Sequence, residues 1–161
     1  MKNLLFIPLI ALFLMVSCDN TGPGDDDARY IGRTGCKNLI TIEEFDSNQE
    51  CIEYTYSGNT LKIKHVNAGM NCCPEPMNAS ISVDGGIITI DESKAANGCK
   101  CLCIFDIDYQ IDNLPAGSYK LVIKPFLELG SHQPLEGTID LKKEPSGYFC
   151  AERTNYPWSI R

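Results

Sequence analysis

In Cys99-Lys-Cys-Leu-Cys-Ile-Phe-Asp-Ile-Asp-Tyr-Gln-Ile111 every odd position is cysteine, aromatic or branched aliphatic. The even positions are polar apart from Leu102 and Ile104. A period of two sustained over this length belongs to a β-strand, because successive side chains of a strand point to opposite faces. Phe105, Ile107, Tyr109 and Ile111 therefore share a buried face. Cys101 and Cys103 continue it, which predicts sheltered sulfurs at one end of a central strand.

Similar alternation recurs on both sides. Ile52, Tyr54 and Tyr56 fall on one side of a strand that starts near Cys51, and Ser57-Gly-Asn59 turns the chain. The return strand, 60–67, sets Leu61, Ile63 and His65 on one face and Lys62 and Lys64 on the other. Pro74 and Pro76 predict that 68–76 leaves the sheet. Asp84-Gly-Gly86 marks a tight hairpin between 79–84 and 87–91, since glycine supplies the positive φ that such turns require. Tyr119, Leu121 and Ile123 make another strand, 137–141 a further one, and 146–152 the last. A capping-box spacing at Thr41-Ile-Glu-Glu44 suggests a short helix over 42–47. Seven or eight short strands separated by Gly, Pro and Asn turns predict an all-β fold. The expected form is an antiparallel β-sandwich stabilised by disulfides, with a small β-barrel as the alternative. The Leu-Pro-Ala-Gly-x-Tyr-x-Leu pattern at 114–121 resembles the penultimate hairpin of extracellular immunoglobulin-like and transthyretin-like sandwiches. That resemblance implies fold only.

The N-terminus carries one lysine, an apolar run from Leu4 to Val16 and a small residue before Cys18. This is the layout of an export signal, and the run is shorter than the roughly 20 residues of a membrane span. Met15-Val-Ser-Cys18 resembles the lipobox of bacterial lipoproteins. The resemblance implies removal of a signal peptide over 1–17 and lipid attachment at Cys18, so that the membrane is a partner through the anchor. Residues 18–28, small and acidic, read as a lipidated cysteine followed by a flexible tether. The remaining 29–161 form one domain. Acidic residues close behind the lipidated cysteine are similar to surface-export signals in some Gram-negative groups, while aspartate beside it resembles an inner-membrane retention mark in enteric bacteria. The expected location is the bacterial cell envelope, the outer membrane or cell surface before the inner membrane.

Nine cysteines less Cys18 leave an even set in an exported chain: Cys36, Cys51, Cys72, Cys73, Cys99, Cys101, Cys103 and Cys150. An oxidising compartment favours disulfides among them. Cys101 and Cys103 lie on one face of one extended segment and should not bridge each other. The economical arrangement has Cys72-Cys73 reaching across to the 99/101/103 group, with Cys36, Cys51 and Cys150 completing the set.

A net charge of −7 excludes nucleic acid, whose binding needs a basic footprint. A soft-metal site for zinc or copper could draw on His65, Cys72, Cys73, Cys101 and Cys103. Against it, same-face neighbours on a strand stand about 7 Å apart, too wide for one ion. Asp84, Asp91, Asp106, Asp108 and Asp112 offer carboxylates for calcium but lack a converging loop. The chain has no Cys-x-x-Cys, no Gly-x-Ser-x-Gly elbow and only two histidines, His65 and His132. Acid pairs such as Glu43/Glu44 and Asp106/Asp108 are the slender ground for an enzyme acting on envelope or extracellular material. Catalytic residues and cofactors are therefore assigned as none. What is left is a non-catalytic module that binds or scaffolds, its partner a protein or a glycan. Tyr54, Tyr56, Tyr148, Tyr156 and Trp158 are the aromatic candidates for such a surface, against the alternative that they pack in the core and at its edges.

Overall fold

The computed structural model describes residues 23–37, 48–72, 79–92, 101–126, 135–154 and 157–158. Among these residues the strands are β1 (Ala28–Arg33), β2 (Gln49–Ser57), β3 (Thr60–Asn71), β4 (Ser80–Asp84) and β5 (Ile87–Asp91). They are followed by β6 (Leu102–Ile111), β7 (Ser118–Lys124), β8 (Leu135–Asp140) and β9 (Ser146–Glu152). The helix expected over 42–47 lies outside the described residues.

The strands form two packed sheets, one ordered β1-β6-β3-β2-β9 and the other β4-β5-β7-β8. Neither closes on itself, so the architecture is the sandwich and not the barrel. The five-stranded sheet is antiparallel throughout, but β5 and β7 run parallel in the smaller one. The parallel pair has a simple cause. The chain leaves β5, crosses to the other sheet as β6, and returns in its original direction as β7, so a whole strand serves as the long crossover such pairs need. The middle of the larger sheet is β3. The 101–111 strand stands beside it, paired with β3 on one side and β1 on the other.

The core lies where the two alternating faces meet. Ile52, Leu61, Ile63, Ile107, Tyr109 and Ile111 come from the larger sheet, and Ile88, Ile90, Leu121, Ile123, Leu135 and Ile139 from the smaller. Gly137 on β8 leaves room for the Phe149 ring, which approaches from the other sheet to 2.9 Å of where a Cβ would stand. Both tight hairpins have two central residues of positive φ, Gly58-Asn59 and Gly85-Gly86. That is the type I′ pattern whose twist matches the flanking strands. In the 114–121 segment the Tyr119 hydroxyl donates to the Pro115 carbonyl at 2.7 Å, closing the turn on its own strand.

Two expectations fail at strand ends. The second long strand does not stop at Asn67. A one-residue bulge between His65 and Ala68 is taken up by Asn67 at φ 58°, and β3 runs on to Asn71. Asparagine tolerates this left-handed conformation better than most residues. The extra residue switches the parity, so Ala68 and Met70 face the core after His65 has done so. At the same end of the ladder, Cys101 is exposed instead of sheltered because β6 begins only at Leu102, opposite Asn71. Asp25–Asp27, placed by sequence in the tether, form a 3-10 turn. There the Asp27 carbonyl accepts from the Asp112 N–H at 2.8 Å.

Three disulfides join Cys36 to Cys103, Cys51 to Cys150 and Cys72 to Cys101. Cys73 and Cys99 lie outside the described residues. Cys51 and Cys150 are direct cross-strand partners on the outer face, with a Cα separation of 4.0 Å. Their bond ties the edge strand β9 to β2 across a sequence separation of 99. Replacing both cysteines by alanine should lower unfolding free energy by about 2–4 kcal/mol, through the freedom restored to the unfolded chain. A denaturant midpoint unchanged from that of the oxidised parent would contradict this.

Candidate functional site

The chemistry-bearing residues fall into two groups, one inside the sandwich and one outside. His65 projects from β3 into the interior and is fully buried, as are Glu50 on β2 and Glu92 just after β5. The two carboxylates flank the ring. His65 Nδ1 donates to Glu92 Oε1 at 2.9 Å, and Nε2 donates to Glu50 Oε1 at 2.9 Å. The Tyr109 hydroxyl, from β6, also donates to Glu92 Oε1, at 2.7 Å. Arg153, just beyond β9 and 3 % exposed, closes the far side by donating to Glu50 Oε2 at 2.5 Å.

With two acids against two bases the cluster is close to balanced. Burial alone would push the His65 pKa down, yet Glu92 and Glu50 outweigh it and hold it up at about 10. Burial would raise Glu50, but the His65 hydrogen bond and charge, with Arg153, leave it below the usual carboxylate range. Burial and the neighbouring Glu92 push the Tyr109 phenol far up, so it remains a donor. His65 is thus an imidazolium with both N–H groups committed, and it has no lone pair for catalysis or for a metal. Glu92 Oε2 is buried without a hydrogen-bond partner among the described residues.

The proposed soft-metal ligands do not come together. Cys72, Cys101 and Cys103 are consumed in disulfides, His65 is engaged by carboxylates, and Cys73 lies outside the described residues. Among the described residues, no group of three His, Cys, Asp or Glu side chains is placed to hold a metal ion. The aspartates considered for calcium are dispersed. Asp106 pairs with Lys37, Asp112 with Arg29, and Asp91 stands 4.0 Å from Lys124. Glu43, Glu44, His132 and Cys18 lie outside the described residues.

The aromatic surface expected from sequence is also corrected. Trp158 is 2 % exposed and Tyr54 5 %, because both fill space that glycine vacates. The Trp158 ring lies on Gly69, where a Cβ would come within 2.4 Å of Cζ2, and its Nε1 donates to the Asn67 carbonyl at 2.7 Å. The Tyr54 hydroxyl stands 2.7 Å from the Cβ position of Gly147. Tyr56 is half-buried and donates to the Leu114 carbonyl. Tyr156 lies outside the described residues. Tyr148 is the candidate that stays out in solvent, at 67 % exposure. The Gly69–Trp158 partnership carried no signal in the sequence, since the two are far apart in the chain.

Outside, the polar face of the larger sheet holds a groove of about 260 Å³ lined by Glu53, Tyr54, Thr55, Lys62, Ile63, Lys64 and Asp108. The charged residues alternate with the inward Ile52, Tyr54, Ile63, Ile107 and Tyr109, so strand periodicity alone sends their heads outward. In register, Tyr148, Glu53, Lys64 and Asp108 form one row across β9, β2, β3 and β6. Among the described residues Lys62, Lys64 and Asp108 make no ion pair, although salt bridges occur elsewhere on the surface. The groove therefore offers ammonium, carboxylate and hydroxyl groups to an incoming molecule.

Two measurements check the interior. The raised His65 pKa predicts an imidazolium at pH 8, with both ring nitrogens protonated in ¹⁵N spectra and deprotonation only near pH 10. Because the folded value lies above the unfolded one, its stabilising contribution is complete below about pH 6.5 and is lost as pH rises through about 10. A neutral ring at pH 7 would refute this account. In a second check, Gly69→Ala should cost about 1–3 kcal/mol by overpacking against Trp158. Gly32→Ala, which meets nothing within 4 Å, should be nearly silent. Equal effects at the two glycines would show that Trp158 does not pack as described.

No protein-family model, curated protein or solved structure matches this chain.

Proposed function

We propose that this protein is a non-catalytic cell-envelope lipoprotein whose β-sandwich binds or scaffolds through the outer face of its larger sheet. The observation that carries the reading is the division of polar groups. Those able to do acid–base chemistry are sealed: His65 is 0 % exposed, Glu50 and Glu92 1 %. Their hydrogen bonds are directed mainly at one another. Those that point outward from the sheet line a shallow groove, an arrangement suited to recognition and not to turnover. The acidic balance of the chain, −7, keeps nucleic acid out of the set of partners.

Attachment rests on the lipobox-like Met15-Val-Ser-Cys18, which lies outside the described residues. Lipid on Cys18 and the short linker behind it would hold the domain near a membrane while leaving the sheet face open to material in the envelope or at the surface.

Two experiments test this. Cys18→Ser should move the protein from the membrane fraction to the soluble one, and retention in the membrane would remove lipidation as the anchor. The purified Cys18→Ser protein, immobilised and exposed to solubilised envelope, should capture defined material identified by mass. Capture should be lost with Glu53→Gln/Lys64→Met/Asp108→Asn at unchanged melting temperature. Capture that ignores those three substitutions, or no capture at all, would defeat the assignment of this face.

A further inference from the structure

We propose, resting on the reading just given, that the groove on the outer face takes a neutral carbohydrate, with Tyr148 as the platform for a sugar ring. The charge count points there first. Glu53 and Asp108 are matched by Lys62 and Lys64, so the lining has no net charge. Nothing in it steers a polyanion or a cation, since steering needs one sign of charge to dominate. What the lining does supply is a dense mixture of acceptors and donors, and Thr55 adds a hydroxyl that is both. A sugar hydroxyl is likewise donor and acceptor, so it can lie between Lys64 and the neighbouring Asp108 carboxylate and bond to both.

Spacing supports the same ligand. Strands lie about 4.8 Å apart and same-face residues along one strand about 7 Å apart. Glu53, Lys64 and Asp108 thus present polar heads at intervals comparable with the hydroxyls around one pyranose ring and its neighbour. At about 260 Å³ the groove is smaller than the roughly 300–1,000 Å³ of sites for drug-sized ligands. It suits one or two sugar units of a longer chain running across an open face.

Tyr148 provides the apolar element. It occupies the same cross-strand row as Glu53, on the edge strand β9, and is 67 % exposed. The other tyrosines of this sheet, Tyr30, Tyr54, Tyr56 and Tyr109, are buried or half-buried. The apolar face of a sugar covers an aromatic ring while its equatorial hydroxyls remain free at the rim, and an amphipathic ring is suited to such a half-wet contact. The Cys51–Cys150 bond adjoins the row and fixes β9 to β2, so the platform and the polar heads are held in one frame before any ligand arrives.

The test uses the oxidised Cys18→Ser protein, ¹⁵N-labelled, titrated separately with cellohexaose, xylohexaose, mannohexaose, maltohexaose and N-acetylchitohexaose. Glycylglycine and polygalacturonate serve as the zwitterionic and anionic probes. Each is taken to about 10 mM in ligand units, above the millimolar constant of a weak site. The expected result is that at least one neutral oligosaccharide shifts the amides of Glu53, Thr55, Lys64, Asp108 and Tyr148. Tyr148→Ala should then weaken binding about tenfold, the size of one lost aromatic contact. Asp108→Asn and Lys64→Met should weaken it as well, with melting temperatures unchanged because these side chains face solvent. The proposal is overturned by shifts confined to other surfaces, by binding of glycylglycine or polygalacturonate alone, or by silence across the panel. If envelope capture depends on this face but the captured material is protein and the panel is silent, the binding function stands and the carbohydrate assignment falls.

Discussion

His65 between Glu50 and Glu92 is the interaction on which the rest of the sandwich depends. Burying a charge is expensive unless it is paired and hydrogen-bonded, and here one imidazolium is shared by two carboxylates, one of them also held by Arg153. The partners come from β2, β3, the end of β5, β6 by way of Tyr109, and the segment after β9. One network therefore spans both sheets and the C-terminal segment. Any rearrangement that separated the sheets would strand a carboxylate or a cation in an apolar core, a cost of several kcal/mol for breaking one partner of a buried pair.

The bulge at Asn67 sits one turn of the pleat away and serves the same end. By inserting one residue after His65 it lets β3 point His65 at the carboxylates and still turn Ala68 and Met70 toward the core. Its side chain and carbonyl are then used to fasten neighbouring chain. Lys37 donates to Asn67 Oδ1, Asn67 Nδ2 donates to the Gln49 carbonyl, and Trp158 Nε1 donates to the Asn67 carbonyl. The stretch 34–37 and the Trp158 side chain, both outside the strands, are thereby bound to the sheet by polar contacts. The disulfide from Cys36 to Cys103 adds a covalent tie to the first of them.

An interior committed to its own neutralisation leaves the outer face as the place for the proposed recognition. The strands β2, β3 and β6 turn Glu53, Lys62, Lys64 and Asp108 outward simply because their inward neighbours are core residues. The same pleat that builds the core thus builds the polar face. The rigidity needed to hold that face open comes from the disulfide at its edge and from the packed rings of Tyr54 and Phe149 beneath it, each seated against a glycine. Stability and the proposed recognition are in this sense two sides of one sheet.

Most strand positions, though not β1 or the far end of β3, were legible in the sequence with the hairpin turns and the two-sheet class, because period-two alternation and paired positive-φ turn residues are local properties of the chain. Leu61, Ile63 and His65 were placed on one face, and Lys62 and Lys64 on the other, by that alone. The even cysteine set, in a chain read from its N-terminus as exported, pointed to disulfides. Which sulfurs meet was decided by sheet order, since Cys51 and Cys150 become neighbours only when β9 closes on β2. The same holds for His65, whose role depends on Glu50, Glu92 and Arg153 arriving from three separate segments. The burial of Trp158 depends on a gap at Gly69 that no local pattern announces. The parallel β5–β7 pair follows from where β6 crosses, a choice made by packing between sheets. Alternation tells each residue which way to face; only the tertiary structure tells it what it will find there, because contacts between distant segments are set by which faces can be buried together without leaving a charge unpaired.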